Sequence, residues 1–91
     1  MAEPAPCPHR TFLLETAPEA DALLRVLAPF AALGARILAL EAREASDRTS
    51  IRIEAAGVGG EAGDRLAERL RRLPFVMQVG VVWRLRPEVA A

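Results

Sequence analysis

The sequence predicts an α+β two-layer sandwich, a four-stranded antiparallel sheet with both helices packed on one face. Three observations predict it. Residues 49–56 alternate apolar and polar, whereas apolar residues in 23–33 and 66–73 recur at helical spacing, so the chain changes period repeatedly. Strand-like segments flank each helical one, giving the order strand, helix, strand, strand, helix, strand between residues 10 and 86. Glycine, proline or Ser-Asp-Arg turn chemistry falls at most of the joins.

Residues 1–9, MAEPAPCPH, contain Pro4, Pro6 and Pro8 and no periodicity, which reads as a disordered tail. Cys7 and His9 are the only residues of their kinds, and two such ligands without a third cannot close a tetrahedral metal site, so no metal is expected. Residues 10–15 form a short strand with Phe12 and Leu14 on one face and Thr11 and Leu13 on the other. The first helix follows directly, with Leu23, Val26, Leu27, Phe30 and Leu33 as its apolar stripe. Thr16 and Glu19 have the spacing of a capping box, and Pro18 suits a first turn because it lacks an N–H. Pro29 removes the bond to the Arg25 carbonyl and predicts a kink rather than a break, since the stripe continues beyond it. Gly34 stands where a left-handed cap ends the helix.

The second strand, residues 35–44, starts apolar at Ile37, Leu38, Ala39 and Leu40, so both faces of its first half call for cover. A turn at Ser46-Asp47-Arg48 leads into residues 49–56, with Ile51, Ile53 and Ala55 inward and Ser50, Arg52 and Glu54 outward, completing a hairpin. Residues 57–63, GVGGEAG, lack the Lys-Ser/Thr of a phosphate loop and read as a flexible link. The second helix, about residues 61–72, carries Leu66, Leu70 and Leu73 with Ala62 and Ala67 beside them, and Pro74 ends it. Arg69, Arg71 and Arg72 complement the negative end of its dipole. Residues 76–85 make the last strand and 87–91 a short tail. One domain therefore covers residues 10–86. Right-handed crossovers make this order the ferredoxin-like βαββαβ arrangement, a fold that hosts many unrelated activities.

Composition narrows the possibilities. Twelve basic residues against twelve acidic leave no net charge to draw the chain to nucleic acid or an anionic membrane. One cysteine excludes an intrachain disulfide, and no apolar run is long enough to span a bilayer; a cytoplasmic location is the expectation. The only histidine and cysteine sit together in the tail, so no catalytic set can be held in register, and the chain is not expected to be an enzyme. Paired carboxylates such as Glu41 and Glu44, or Asp64 and Glu68, have the spacing of solvated faces.

Several stretches resemble the ACT domain, and within it the short, single-ACT small regulatory subunit of acetolactate synthase. The likeness lies in Arg25-Val26, Gly34, Ile37 to Leu40, Leu70-Arg71-Arg72-Leu73 and Val76 to Val79. It implies a subunit that activates or stabilises a large catalytic subunit in branched-chain amino acid biosynthesis. That partner would hold thiamine diphosphate, flavin and magnesium, with no cofactor in this chain. The family's effector site, which joins its first strand to its first helix, maps onto Pro18, Glu19 and Asp21, and its second-strand part onto Gly34, Ala35, Arg36 and Ile37. At Pro18, Asp21 and Arg36 the residues differ from those of relatives that bind an amino acid tightly, which favours the helper subunit over a valine receptor. The alternative is a free-standing ACT-type module binding an amino acid at a homodimer interface. A third reading, an RRM-like nucleic-acid binder, lacks the stacking aromatics such a sheet needs in residues 50–56.

Partner binding also has a physical motive. Helices on one face leave the other bare, and the sequence places Leu13, part of Ile37 to Leu40, and Val82 or Trp83 there. An apolar face of that kind marks an interface, with Leu13, Leu38, Leu40, Val82 and Trp83 as its residues and a homodimer as the assembly.

Overall fold

The computed structural model describes the backbone of residues 8–85 and the side chains of residues 9–81. Cys7 and the tail at 87–91 lie outside the described residues, as do the side chains of Val82 and Trp83. Six elements follow in the predicted order: β1 (Pro8–Thr16), α1 (Ala22–Ala32), β2 (Arg36–Glu44), β3 (Thr49–Ala56), α2 (Gly60–Arg71) and β4 (Val76–Leu85). The sheet runs β2-β3-β1-β4 with every neighbouring pair antiparallel, the ferredoxin-like arrangement. β1 begins at Pro8, two residues before the predicted start at Arg10, because its ladder with β4 starts there and its ladder with β3 at His9.

The period of two decides which side chains meet the helices. Phe12 lies opposite Ile53 and Val81, and Leu14 opposite Ile51 and Val79, so these residues share one face. Onto it α1 sets Ala22, Val26 and Phe30, and α2 sets Leu66, Ala67 and Leu70, all buried in one cluster with Val58 and Phe75. Phe12 and Phe30 meet edge to face, with centroids 5.1 Å apart and planes at 86°, a favoured aromatic geometry.

α1 begins five residues later than a helix capped by Thr16 would: Thr16 closes β1 and residues 17–21 are a loop. Thr16 pairs with both Thr49 and Val76, its Oγ1 donates to the Ala17 carbonyl, and the Ala17 N–H donates to the Phe75 carbonyl at 2.8 Å. The ladders thus hold Thr16 in the sheet, and the Glu19 N–H that a capping box would give to Thr16 Oγ1 donates to the Ala17 carbonyl at 2.8 Å instead. The other end forms as predicted. Gly34 has φ 73°, its N–H donates to Ala31 and that of Ala35 to Phe30, both at 3.1 Å, which is the paired bonding of a Schellman cap. The buried Pro29 sits inside α1, which continues past it to Ala32.

β2 departs most from expectation. It is an edge strand, exposed at every residue except the half-buried Ala39, so neither face of its first half is covered. α1 lays Phe30 over Phe12 in the middle of the sheet and leaves the edge outboard. A register shift between Ile37 and Ala39 makes Leu38 the extra residue of a bulge. No helix among the described residues is long and apolar enough to cross a membrane.

Candidate binding surfaces

The open face of the sheet follows from the register. Glu41, Arg52, Leu13 and Gly80 form one row across β2, β3, β1 and β4, and Arg43, Ser50, Glu15 and Gln78 form the next. Charge dominates it. Arg52 donates to Glu54 at 2.8 Å and stands 3.8 Å from Glu41, which is 4.0 Å from Arg43. Arg48 bonds Glu15 at 2.5 Å, and this bond, followed by the nearby charge of Asp47, holds the Arg48 guanidinium above its ordinary range. Leu13, 43% exposed, stands within that frame. The face predicted to be greasy thus carries ion pairs around an exposed Leu13, and of the predicted residues Leu40 is not on it. The alternation in β3 turns Arg52 and Glu54 outward, while Ile37 lies opposite the inward Ala55 and Leu40 opposite the inward Ile53. Val82 and Trp83 are placed by backbone register alone, opposite Thr11 and Arg10. Above Leu13 and Gly80 the face is hollowed into a trough of about 430 Å³, with Arg43, Arg52, Glu15 and Gln78 among its walls.

Leu24 on α1 and Met77 on β4 are exposed singly, but three apolar residues are exposed together along the β2 edge, with Ile37 and Leu40 on the helix side. Ile37, Leu38 and Leu40 are 40%, 42% and 42% exposed, and nothing pairs with the outer edge of β2 among the described residues. An unpaired strand with apolar side chains is a template for another chain.

The residues onto which the resemblance maps an effector site are divided between opposite ends of the sheet. Thr16 and Glu44 both lie beside Thr49, whereas His9 and Arg36 both lie beside Ala56. Pro18, Glu19 and Asp21 therefore follow the first end, and Gly34, Ala35, Arg36 and Ile37 gather at the other, about 25 Å away at the rise of a strand. One chain does not bring them together. All are exposed except Ala35, which is half-buried. The loop is tethered through Arg25, 3.5 Å from Glu19 and 3.8 Å from Asp21, whose guanidinium stacks 4.4 Å above the Phe75 ring.

Sequence reasoning passed over Arg10. It is 5% exposed, reaches Asp64 at 3.2 Å and the Gly60 carbonyl at 3.4 Å, and so ties β1 to the first turns of α2. The available signal was Gly63, a residue of poor helix propensity inside a helix. A Cβ there would meet the Val58 carbonyl oxygen and stand 2.5 Å from Arg10 Nη1.

No protein-family model matches the sequence, and no curated protein does. Solved structures match the fold. The ACT domain of a GTP pyrophosphokinase from Chlorobium tepidum superposes with a TM-score of 0.72 at 8% identity, covering 81% of this chain and 96% of that one. The C-terminal domain of the MgtC protein from Mycobacterium tuberculosis gives 0.69 at 13% identity, covering 99% and 100%. GqqA, described as a novel type of quorum quenching acylase, gives 0.69 at 20% identity over 89% of this chain but only 30% of its own. This chain thus has the ferredoxin-like fold that ACT domains adopt.

Proposed function

We propose that this chain is a non-catalytic regulatory module that works as a homodimer joined through its β2 edges. The observation that carries the reading is the bare, apolar edge of β2. Antiparallel pairing of β2 with a second copy around Leu40 sets Arg36 opposite the partner's Glu44, so opposite charges meet at both ends of the ladder. The same two-fold carries the Arg36 end of one copy toward the 17–21 loop of the other. An amino acid effector would lie in that junction, with Pro18, Glu19 and Asp21 from one copy and Gly34, Ala35, Arg36 and Ile37 from the other. Light scattering tests the dimer, and a monomer at micromolar concentration rejects it. Calorimetric titration with valine, leucine and isoleucine tests the junction, with saturable heat expected for at least one and none if the effector reading is wrong.

A narrower reading makes the module the small subunit of acetolactate synthase. It is supported by the resemblance at Arg25-Val26, Gly34, Ile37 to Leu40 and Leu70 to Leu73, and by the departures at Pro18, Asp21 and Arg36, and in contrast to the effector reading it predicts little heat in the amino acid titration. Its docking surface would be the β2 edge or the surface that the dimer builds there, since the open face of the sheet is charged. Adding the chain to a thiamine-diphosphate-dependent large subunit from the same genome should raise its activity; no rise rejects this narrower role and leaves the dimer standing.

A further inference from the structure

We propose that the open face of the sheet carries a second ligand site, the trough over Leu13 and Gly80, which takes a short apolar peptide of two or three residues with both termini free. The site goes beyond the regulatory reading above; it borrows Glu41 and Arg43 from β2 but none of the residues assigned to the effector junction.

Gly80 is the first observation. It lies inside β4, opposite Leu13, where the register is unbroken; the irregularity of this ladder falls between Glu15 and Thr16. Its φ is not positive, unlike those of Gly34, Gly57 and Gly60. A Cβ built there would find only the Leu13 carbonyl oxygen, at 4.0 Å. Nothing among the described residues requires glycine at this position. A glycine inside a strand weakens it, and one without an internal cause marks a close approach by something else. Here the missing side chain leaves the trough floor open beside Leu13, in a hollow of about 430 Å³, within the range of ligand pockets.

Charge sets the ligand class. The walls bring Glu15 and Glu41 against Arg43 and Arg52, so the lining has no net charge and favours a ligand that carries both signs. Arg43, Ser50 and Glu15 stand side by side on three adjacent strands, which separates the outer two by about 10 Å at the Cα atoms. The termini of an extended peptide of two or three residues are a comparable distance apart at about 3.5 Å per residue. Its carboxylate would meet Arg43, whose described ion pair is a contact of 4.0 Å to Glu41. Its ammonium would meet Glu15, which accepts from Arg48 through Oε1 and has a second oxygen to offer. The apolar side chains would lie over Leu13 and in the space beside Gly80.

The test is calorimetric titration of the full chain with Leu-Gly-Leu, with its N-acetylated and C-amidated forms, and with the variants Gly80→Val and Arg43→Gln. Saturable binding of the free peptide at millimolar concentration or below, weakened about tenfold or more by either blocking group and by both variants, is expected. Circular dichroism establishes that Gly80→Val is folded, and Arg43→Gln alters an exposed side chain, so the two arms do not depend on each other. No saturation with the free peptide, or undiminished affinity for the N-acetylated or the C-amidated form, overturns the proposal. Leu40→Arg separates it from the dimer reading: peptide affinity should persist in a monomeric variant, and its loss would assign the binding to the β2 junction instead.

Discussion

The guanidinium of Arg10 occupies the space that a side chain at Gly63 would need, with Nη1 only 2.5 Å from where a Cβ would be. The first strand and second helix are locked together by this fit as much as by the ion pair to Asp64. Gly63→Ala should therefore destabilise the domain by about 1–3 kcal/mol, the usual cost of overpacking. Asp64→Asn should cost less than about 1 kcal/mol, because the Asp64 side chain is 77% exposed. Urea unfolding of both variants checks the order. If Asp64→Asn proves the more damaging, the lock is electrostatic and the steric account fails.

Phe30 is the anchor of α1 on the sheet. It is 1% exposed and meets Phe12 edge to face. Phe30→Ala should cost about 3–5 kcal/mol, a large part of the roughly 5–15 kcal/mol that holds a domain folded. Phe30→Leu should cost distinctly less. Thermal unfolding that ranks Leu below Ala would contradict the assigned packing.

Gly34 isolates a backbone effect. A Cβ there finds nothing within 4 Å, yet φ is 73°. Gly34→Ala should lower stability by about 1–2 kcal/mol through conformation alone, and Gly34→Asn by less, since asparagine tolerates the left-handed region better. Equal losses from the two substitutions would point to a lost contact rather than to strain.

Leu40→Arg tests the edge of β2. With Leu40 42% exposed, the substitution should leave the circular dichroism spectrum of the domain unchanged while converting a dimer to a monomer in sedimentation equilibrium. An unfolded variant would place Leu40 in the core, and an unchanged dimer would remove β2 from the interface.

The fold was legible because its signals are local. Alternation in Ser50 to Ala56, the stripe from Leu66 to Leu70 and the cap at Gly34 each specify an element without reference to the rest of the chain. The start of α1 was misread because Thr16 and Glu19 fit a capping pattern, while the competing partners of Thr16, on β3 and β4, lie more than thirty residues away in sequence. Leu13 is exposed on the expected face, but Ile37 and Leu40 take the other side for a similar reason. Ile37 and Leu40 are visibly apolar in the sequence, but the side they take depends on a bulge at Leu38 and on how far α1 reaches. Gly80 carries no periodic signal of its own. Its meaning appears only once Leu13 is found across from it.

Among the described residues the sheet has two free margins, and they are not equivalent. β2 against β2 closes after two chains and leaves only β4 strands outermost, whereas β2 against β4 of the next copy would repeat without end. The irregular ladder where Thr16 meets Val76 and the bulge at Leu38 perturb the two margins at different points, so they do not present matching rows of bonds. Finite assembly or filament is therefore decided by a few residues near the two rims, and mutations that smooth either irregularity would favour fibrils while leaving the buried interior untouched.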